Sequence, residues 1–159
     1  MKIVTNSSPL IVLCKSGLAD LLPQVCEDIL VPAAVWDEIV SGGKDDAATR
    51  ILPHLTWAKR TEVVSDDLLI RAWNLGAGET AVLNLALSLP GHRALIDDSA
   101  ARACAKTMHI AFLGTGGLLV AAKRRGLIAS LDEALQKIIS AGLWFSGDVI
   151  NLLKEQAGE

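Results

Sequence analysis

The chain has 159 residues, 51% hydrophobic and 21% charged, which supplies enough apolar material for one cored domain and argues against intrinsic disorder. Its net charge of −3 excludes a generic basic binder of polyanions, although a local basic strip or a cation held by carboxylates still attracts phosphate. A mean hydropathy of +0.39 implies either a dense core or an apolar face covered by a partner.

Lys2–Thr5 reads as a short strand. Ser8-Pro9 suits the cap and first turn of a helix Leu10–Ser16, which Gly17 stops. A short helix around Leu18–Val25 precedes a strand Ile29–Val31, and Pro32 opens a helix Ala33–Val40 that ends at Ser41-Gly42-Gly43. A helix near Ala47–Leu52, an extended piece around Trp57–Val64 and a helix Asp67–Trp73 come next. Gly76-Ala77-Gly78 then leads into Glu79–Leu89, a helix apolar nearly all round and therefore buried. The strand Ala94–Ile96 is followed by a helix Ser99–His109, with Ala101, Cys104, Ala105 and Met108 on one face. Ile110–Leu113 reads as a further strand, Gly114–Gly117 as a turn, and Leu118–Arg125 as a helix that Gly126 terminates. Ser130 with Glu133 makes a capping box for the helix Leu131–Ala141, and Ser146 starts a last helix reaching Gln156. Strands alternating with helices imply an α/β protein with a short central parallel sheet of about four to five strands, covered on both faces.

No stretch suits a membrane span. The longest apolar run, Ile110 to Ala122, is interrupted by Thr115 and glycines and falls short of the roughly 20 residues required. Ser7, Ser8 and Pro9 break the first apolar run early, so no signal peptide is expected. Cys14, Cys26 and Cys104 form no CxxC pair and read as buried thiols in a reducing cytoplasm.

The chemistry-bearing residues sit at the edges of these elements. Asn6 ends the first strand, Glu38 lies in the helix after the second, Glu79 opens an apolar helix, and Asp97 and Asp98 follow the strand Ala94–Ile96. Residues just past parallel strands converge on one sheet edge, where carboxylates repel one another unless a cation joins them or some take up protons. Oxygen ligands of this kind suit Mg²⁺ or Mn²⁺. Each acid also has a plain alternative: Asp98 as a helix cap, Asp97 as its solvated neighbour, Glu79 as a complement to a helix dipole, Glu38 as a surface glutamate. Ser7 and Ser8 are placed to bind a metal-held water, with capping of the helix as the plain alternative for Ser8. Thr115 stands in a glycine turn whose free N–H groups either grip phosphate or serve only the turn. Arg102 and Lys123 either touch an RNA backbone or merely occupy solvated helix faces. The three histidines have no metal-ligand spacing, and no nucleophile triad, Walker or dinucleotide fingerprint is present.

Five segments in order resemble the PIN-domain family, in the VapC-like branch known as DUF3368: Val4–Leu10, Val31–Glu38, Leu75–Glu79, Leu95–Arg102 and Gly114–Leu119 with Ala122-Lys123 behind it. The resemblance implies one compact α/β/α domain over residues 1–159 that binds Mg²⁺ or Mn²⁺ through clustered acids and cuts RNA. It implies Glu38, Glu79 and Asp97 or Asp98 as metal-site carboxylates, with Asn6 where typical members carry a first aspartate. It also implies a small antitoxin partner and a homodimer. A neutral amide removes one negative charge from the site, so a weakened module that binds RNA or protein without cutting stands as the alternative. A phosphotransfer enzyme with Asp97 as nucleophile is a third reading, but no persuasive phosphate-binding lysine accompanies it.

Overall fold

The computed structural model describes residues 1–44 and 46–159. Among these, five parallel strands form one sheet: β1 (Lys2–Thr5), β2 (Asp28–Pro32), β3 (Lys59–Thr61), β4 (His92–Leu95) and β5 (Phe112–Leu113). Their spatial order is β3-β2-β1-β4-β5. The inner strands carry residues buried on both faces, such as Ile3 and Val4 in β1 and Ile29, Leu30 and Val31 in β2. Helices covering both faces of a parallel sheet require such unbroken apolar runs. The helices are α1 (Ser7–Lys15), α2 (Leu21–Val25), α3 (Ala33–Ser41), α4 (Ala47–Ile51), α5 (Leu68–Ala72), α6 (Ala77–Ser88), α7 (Ser99–Thr107), α8 (Thr115–Arg124), α9 (Leu131–Ser140) and α10 (Gly147–Ala157). No helix among the described residues is long and apolar enough to cross a membrane.

The strand order places the site. From β1 the chain moves outward through β2 and β3, then returns to build β4 and β5 on the other side of β1. Between β1 and β4 the connections therefore leave in opposite directions, which opens a crevice beyond the carboxyl ends of those two strands. The register sets Thr5 beside Leu95, and the Asn6 amide donates to the Leu95 carbonyl at 3.1 Å. Asn6 and the residues just after β4 thus share this edge.

Several boundaries differ from expectation, such as β4 at His92–Leu95 and α6 at Ala77–Ser88, and three of them have a clear local reason. Helix α1 begins at Ser7, so Asn6 rather than Ser8 stands at the capping position, with extended backbone at φ −84° and ψ 170°. Helix α7 stops at Thr107 because His109 turns into the left-handed region at φ 53°. The amides of His109 and Ile110 then close back onto the Lys106 and Ala105 carbonyls, which leaves only Phe112–Leu113 free to pair as β5. Helix α8 begins at Thr115, three residues earlier than the sequence suggests, so Gly116 and Gly117 are helical. Close packing explains Gly116: a Cβ there would lie 2.6 Å from Leu153 Cδ1 of α10.

At the opposite, amino-terminal edge of the sheet, Asp28 accepts hydrogen bonds from Lys59 Nζ at 2.6 Å and pairs with His92 Nε2 at 2.9 Å. The Lys59 ammonium first, and His92 second, hold the Asp28 carboxyl below its usual range. A depressed folded pKa stabilises the protein above the unfolded carboxylate pKa, and that contribution is lost as pH falls through the folded value. Asp28→Asn is accordingly expected to cost about 1 kcal/mol near neutrality, as for a partly exposed ion pair, and nothing measurable once the pH is well below about 4. Urea unfolding of both proteins across that pH range measures the difference.

Candidate metal centre

Asn6 is 2% exposed. Asparagine at a capping position ordinarily turns its side chain back onto its own helix, worth about 1 kcal/mol. Here it makes no such bond; instead Nδ2 donates to Glu79 Oε1 at 3.1 Å, across 73 residues of sequence. The Asn6 Oδ1 atom is buried and accepts no hydrogen bond. A buried acceptor left unsatisfied costs roughly 1–3 kcal/mol, and an oxygen-binding group placed here would remove that cost.

Two glycines make the convergence possible. Gly78, buried in the first turn of α6, has no side chain where a Cβ would lie 3.0 Å from Asn6 Oδ1 and 3.1 Å from Glu38 Oε2. A Cβ on Gly76 would lie 2.5 Å from Glu79 Oε2. Both gaps in the Gly76-Ala77-Gly78-Glu79 segment are filled by site oxygens. Glu38 itself comes from α3, one turn beyond Val35, whose fully buried side chain seats that helix against the same glycine. Asn6, Glu38 and Glu79 are thereby drawn together around the start of α6.

Asp97 stands past β4 on the neighbouring side of the crevice. It accepts from the Thr115 amide at 2.8 Å and from Thr115 Oγ1 at 2.5 Å. Burial pushes its carboxyl above the usual range, against the pull of the Thr115 donors and the Arg102 guanidinium. Among the described residues no three of the aspartate, glutamate, histidine and cysteine side chains lie close enough to hold an ion unaided.

Several expected contacts fall elsewhere. Asp98 is exposed and caps α7, accepting from the Ala101 amide at 2.8 Å, so its carboxylate is turned to its own helix. Thr115 is fully buried, and both its donors are spent on Asp97, so it offers no free N–H to a phosphate. Lys123 sits near the far end of α8, about 12 Å along the axis from Thr115 by helical rise, bonded to Glu159 and to the Ala129 carbonyl. It is a structural clamp there. Ser7 lies buried in the first turn of α1 beside Asn6, and Arg102 lies beside Asp97 with its guanidinium 5.3 Å from the Phe112 ring centroid. The sequence reading missed the Thr115–Asp97 clamp and the packing role of Gly76 and Gly78. For the glycines a signal existed, since two of them within the three residues before a lone acid on an apolar helix indicate close approach.

Burial makes Asp97 ionise at a cost that is absent below the unfolded carboxylate pKa and complete above the raised folded one, so native stability falls as pH rises across that window. Asp97→Asn is expected to raise the urea midpoint of metal-free protein at neutral pH, with the gain vanishing below about pH 4. An equal gain at both pH values would contradict this electrostatic cause.

The DUF3368 family, described as a PIN domain, matches residues 2–159. No curated protein and no solved structure matches the chain. PIN domains are nuclease-like folds that generally use divalent metals, and the α/β sheet flanked by helices agrees with that assignment. The chain belongs to the PIN-domain family.

Proposed function

We propose that the protein is a metal-dependent endoribonuclease whose Mg²⁺ or Mn²⁺ is held by Asn6, Glu38 and Asp97. The observation that carries this reading is the buried, unpartnered Asn6 Oδ1 beside Glu38 Oε2. The donor set is all oxygen, which fits a hard divalent cation, and an acceptor without a donor fits it better than a proton would. Glu79 acts through Asn6: by accepting from Nδ2 it fixes which end of the amide faces the pocket. Thr115 does the same for Asp97, holding both carboxylate oxygens from one side. A cation bound there supplies Lewis acidity, lowering the pKa of a water and offsetting charge that develops on a phosphodiester. The protein's own contribution is a preformed pocket, in which the Asn6–Glu79 hydrogen bond replaces a repulsion that an aspartate at position 6 would create.

The accompanying partners belong to the same proposal. Val64, Leu68 and Leu69 are 97%, 72% and 65% exposed, apolar side chains that a short antitoxin or a second copy of the chain would cover. Cys14, Cys26 and Cys104 are all buried and unpaired, and burial lifts the Cys14 thiol to about 11, which suits a reducing cytoplasm. The second reading, a PIN-like module that binds without cutting, is favoured by one feature alone, the uncharged Asn6.

Incubation of purified protein with unstructured RNA separates the two readings. Cleavage should require Mn²⁺ or Mg²⁺, stop in EDTA, and fall about 100-fold in Glu38→Gln, in line with the loss of a charged ligand to the catalytic cation. Metal-independent cleavage, or equal rates for both proteins, would refute the nuclease reading; EDTA-resistant RNA affinity without cleavage would favour the module. By calorimetry, Asn6→Asp is expected to tighten Mn²⁺ binding, since a charged oxygen replaces a neutral one. An unchanged affinity would count against Asn6 as a ligand.

A further inference from the structure

A groove of about 450 Å³ opens directly beside Asp97. Its walls are Phe112 and Leu113 of β5, the segment Leu143–Phe145 and one face of α10, and Arg102 stands at its mouth. Trp144 is 78% exposed and Leu152, which also lines the groove, is 51% exposed. An indole in water on a segment that has ample core available calls for an explanation, because large aromatic side chains are ordinarily well buried. The neighbouring Phe145 is half-buried, so the backbone had the choice and turned Trp144 outward.

We propose that this groove receives an unpaired nucleobase of single-stranded RNA, stacked against Trp144, while Arg102 holds the adjoining phosphate. The proposal rests on the ribonuclease reading only for the identity of the polymer, not for its chemistry. Three observations select a nucleobase. The exposed surface is aromatic and the groove is open, which suits a flat ring, and stacking on aromatics is the sequence-tolerant means of gripping single strands. Arg102 is exposed, with its guanidinium carbon 5.3 Å from the Phe112 ring centroid and Asp97 as a nearby opposite charge, and among the described residues its guanidinium N–H groups make no hydrogen bond, so they are available to a phosphate oxygen. Asp97 is shared between the groove and the candidate metal centre, so a base seated here carries its own backbone toward that centre. An apolar peptide side chain would fill the groove but offer the Arg102 N–H groups no acceptor. A duplex could not enter, since its bases are paired and stacked inside the helix.

The test uses the full chain in EDTA, with fluorescently labelled single-stranded RNA of about ten nucleotides and the same strand carrying abasic sites. Wild type is expected to lose about tenfold in affinity on the abasic strand or through Trp144→Ala, with Trp144→Phe retaining most of it. The two losses should not add, because each removes one partner of the same stack. Intrinsic fluorescence should be quenched by intact RNA in wild type and much less so in Trp144→Ala. Equal affinities of wild type and Trp144→Ala, or losses that add in full, would overturn the proposal. So would a change of oligomeric state in Trp144→Ala with RNA affinity untouched, which would assign the groove to a second copy. Metal-dependent cleavage with no Trp144 effect would leave the nuclease reading standing and remove this one. Trp144-dependent binding without any cleavage would do the reverse.

Discussion

A buried oxygen with no donor is the constraint from which the rest of this site follows. Asn6 Oδ1 sits at the carboxyl end of the central strand, sealed from bulk water, while the amide nitrogen beside it is engaged by Glu79. Native interiors rarely tolerate such an atom, because the lost hydration is not repaid. Its neighbours reinforce the arrangement: the oxygen of Glu38 faces the same empty Cβ position on Gly78, and the helix that carries Gly78 is pinned by its own buried apolar residues, Val82, Leu83 and Leu85. The polar convergence is therefore fixed by packing some distance away. Packing holds together groups that would drift apart if left to electrostatics.

Fold and site are coupled through the strand order. The crevice between β1 and β4 exists because successive connections diverge there, and it would exist for many sequences with this topology. The polar residues at its exits are Asn6 directly after β1, Asp97 two residues after β4 and Glu38 within the helix that follows β2. Asparagine at position 6 changes the balance of that set. It turns a carboxylate–carboxylate contact with Glu79 into a hydrogen bond, which stabilises the metal-free protein and lowers the charge available to a cation. Asp97 moves the balance the other way, with burial raising its pKa and two Thr115 donors limiting the rise.

Much of this was legible in the amino-acid sequence. The β-α alternation, the helix stops at Gly17 and Gly126, and the Ser130 and Ser146 caps follow from local chemistry, and local chemistry is what short-range patterns encode. Residues past strand ends could also be named as convergent, because topology alone brings them to one edge. Thr115 was not legible in its actual role. A threonine beside glycines looks like a turn, and only the tertiary position of Asp97, 18 residues earlier, converts it into a clamp. Asp98 illustrates the opposite limit. Two adjacent aspartates are equivalent in sequence, and the helix that follows takes the second as its cap, leaving the first to face the crevice. Lys123 looked available because its partner, Glu159, lies 36 residues away at the end of the chain.

The central claim is that one cation completes the oxygen set around Asn6. Diffraction from crystals soaked in Mn²⁺, with data collected at the manganese absorption edge, tests it most directly. An anomalous peak within bonding distance of Asn6 Oδ1 and a Glu38 oxygen, at roughly 2.2 Å, is the predicted result. A peak only at distant surface carboxylates, or a water donating to Asn6 Oδ1 with no peak at full soak, would contradict it.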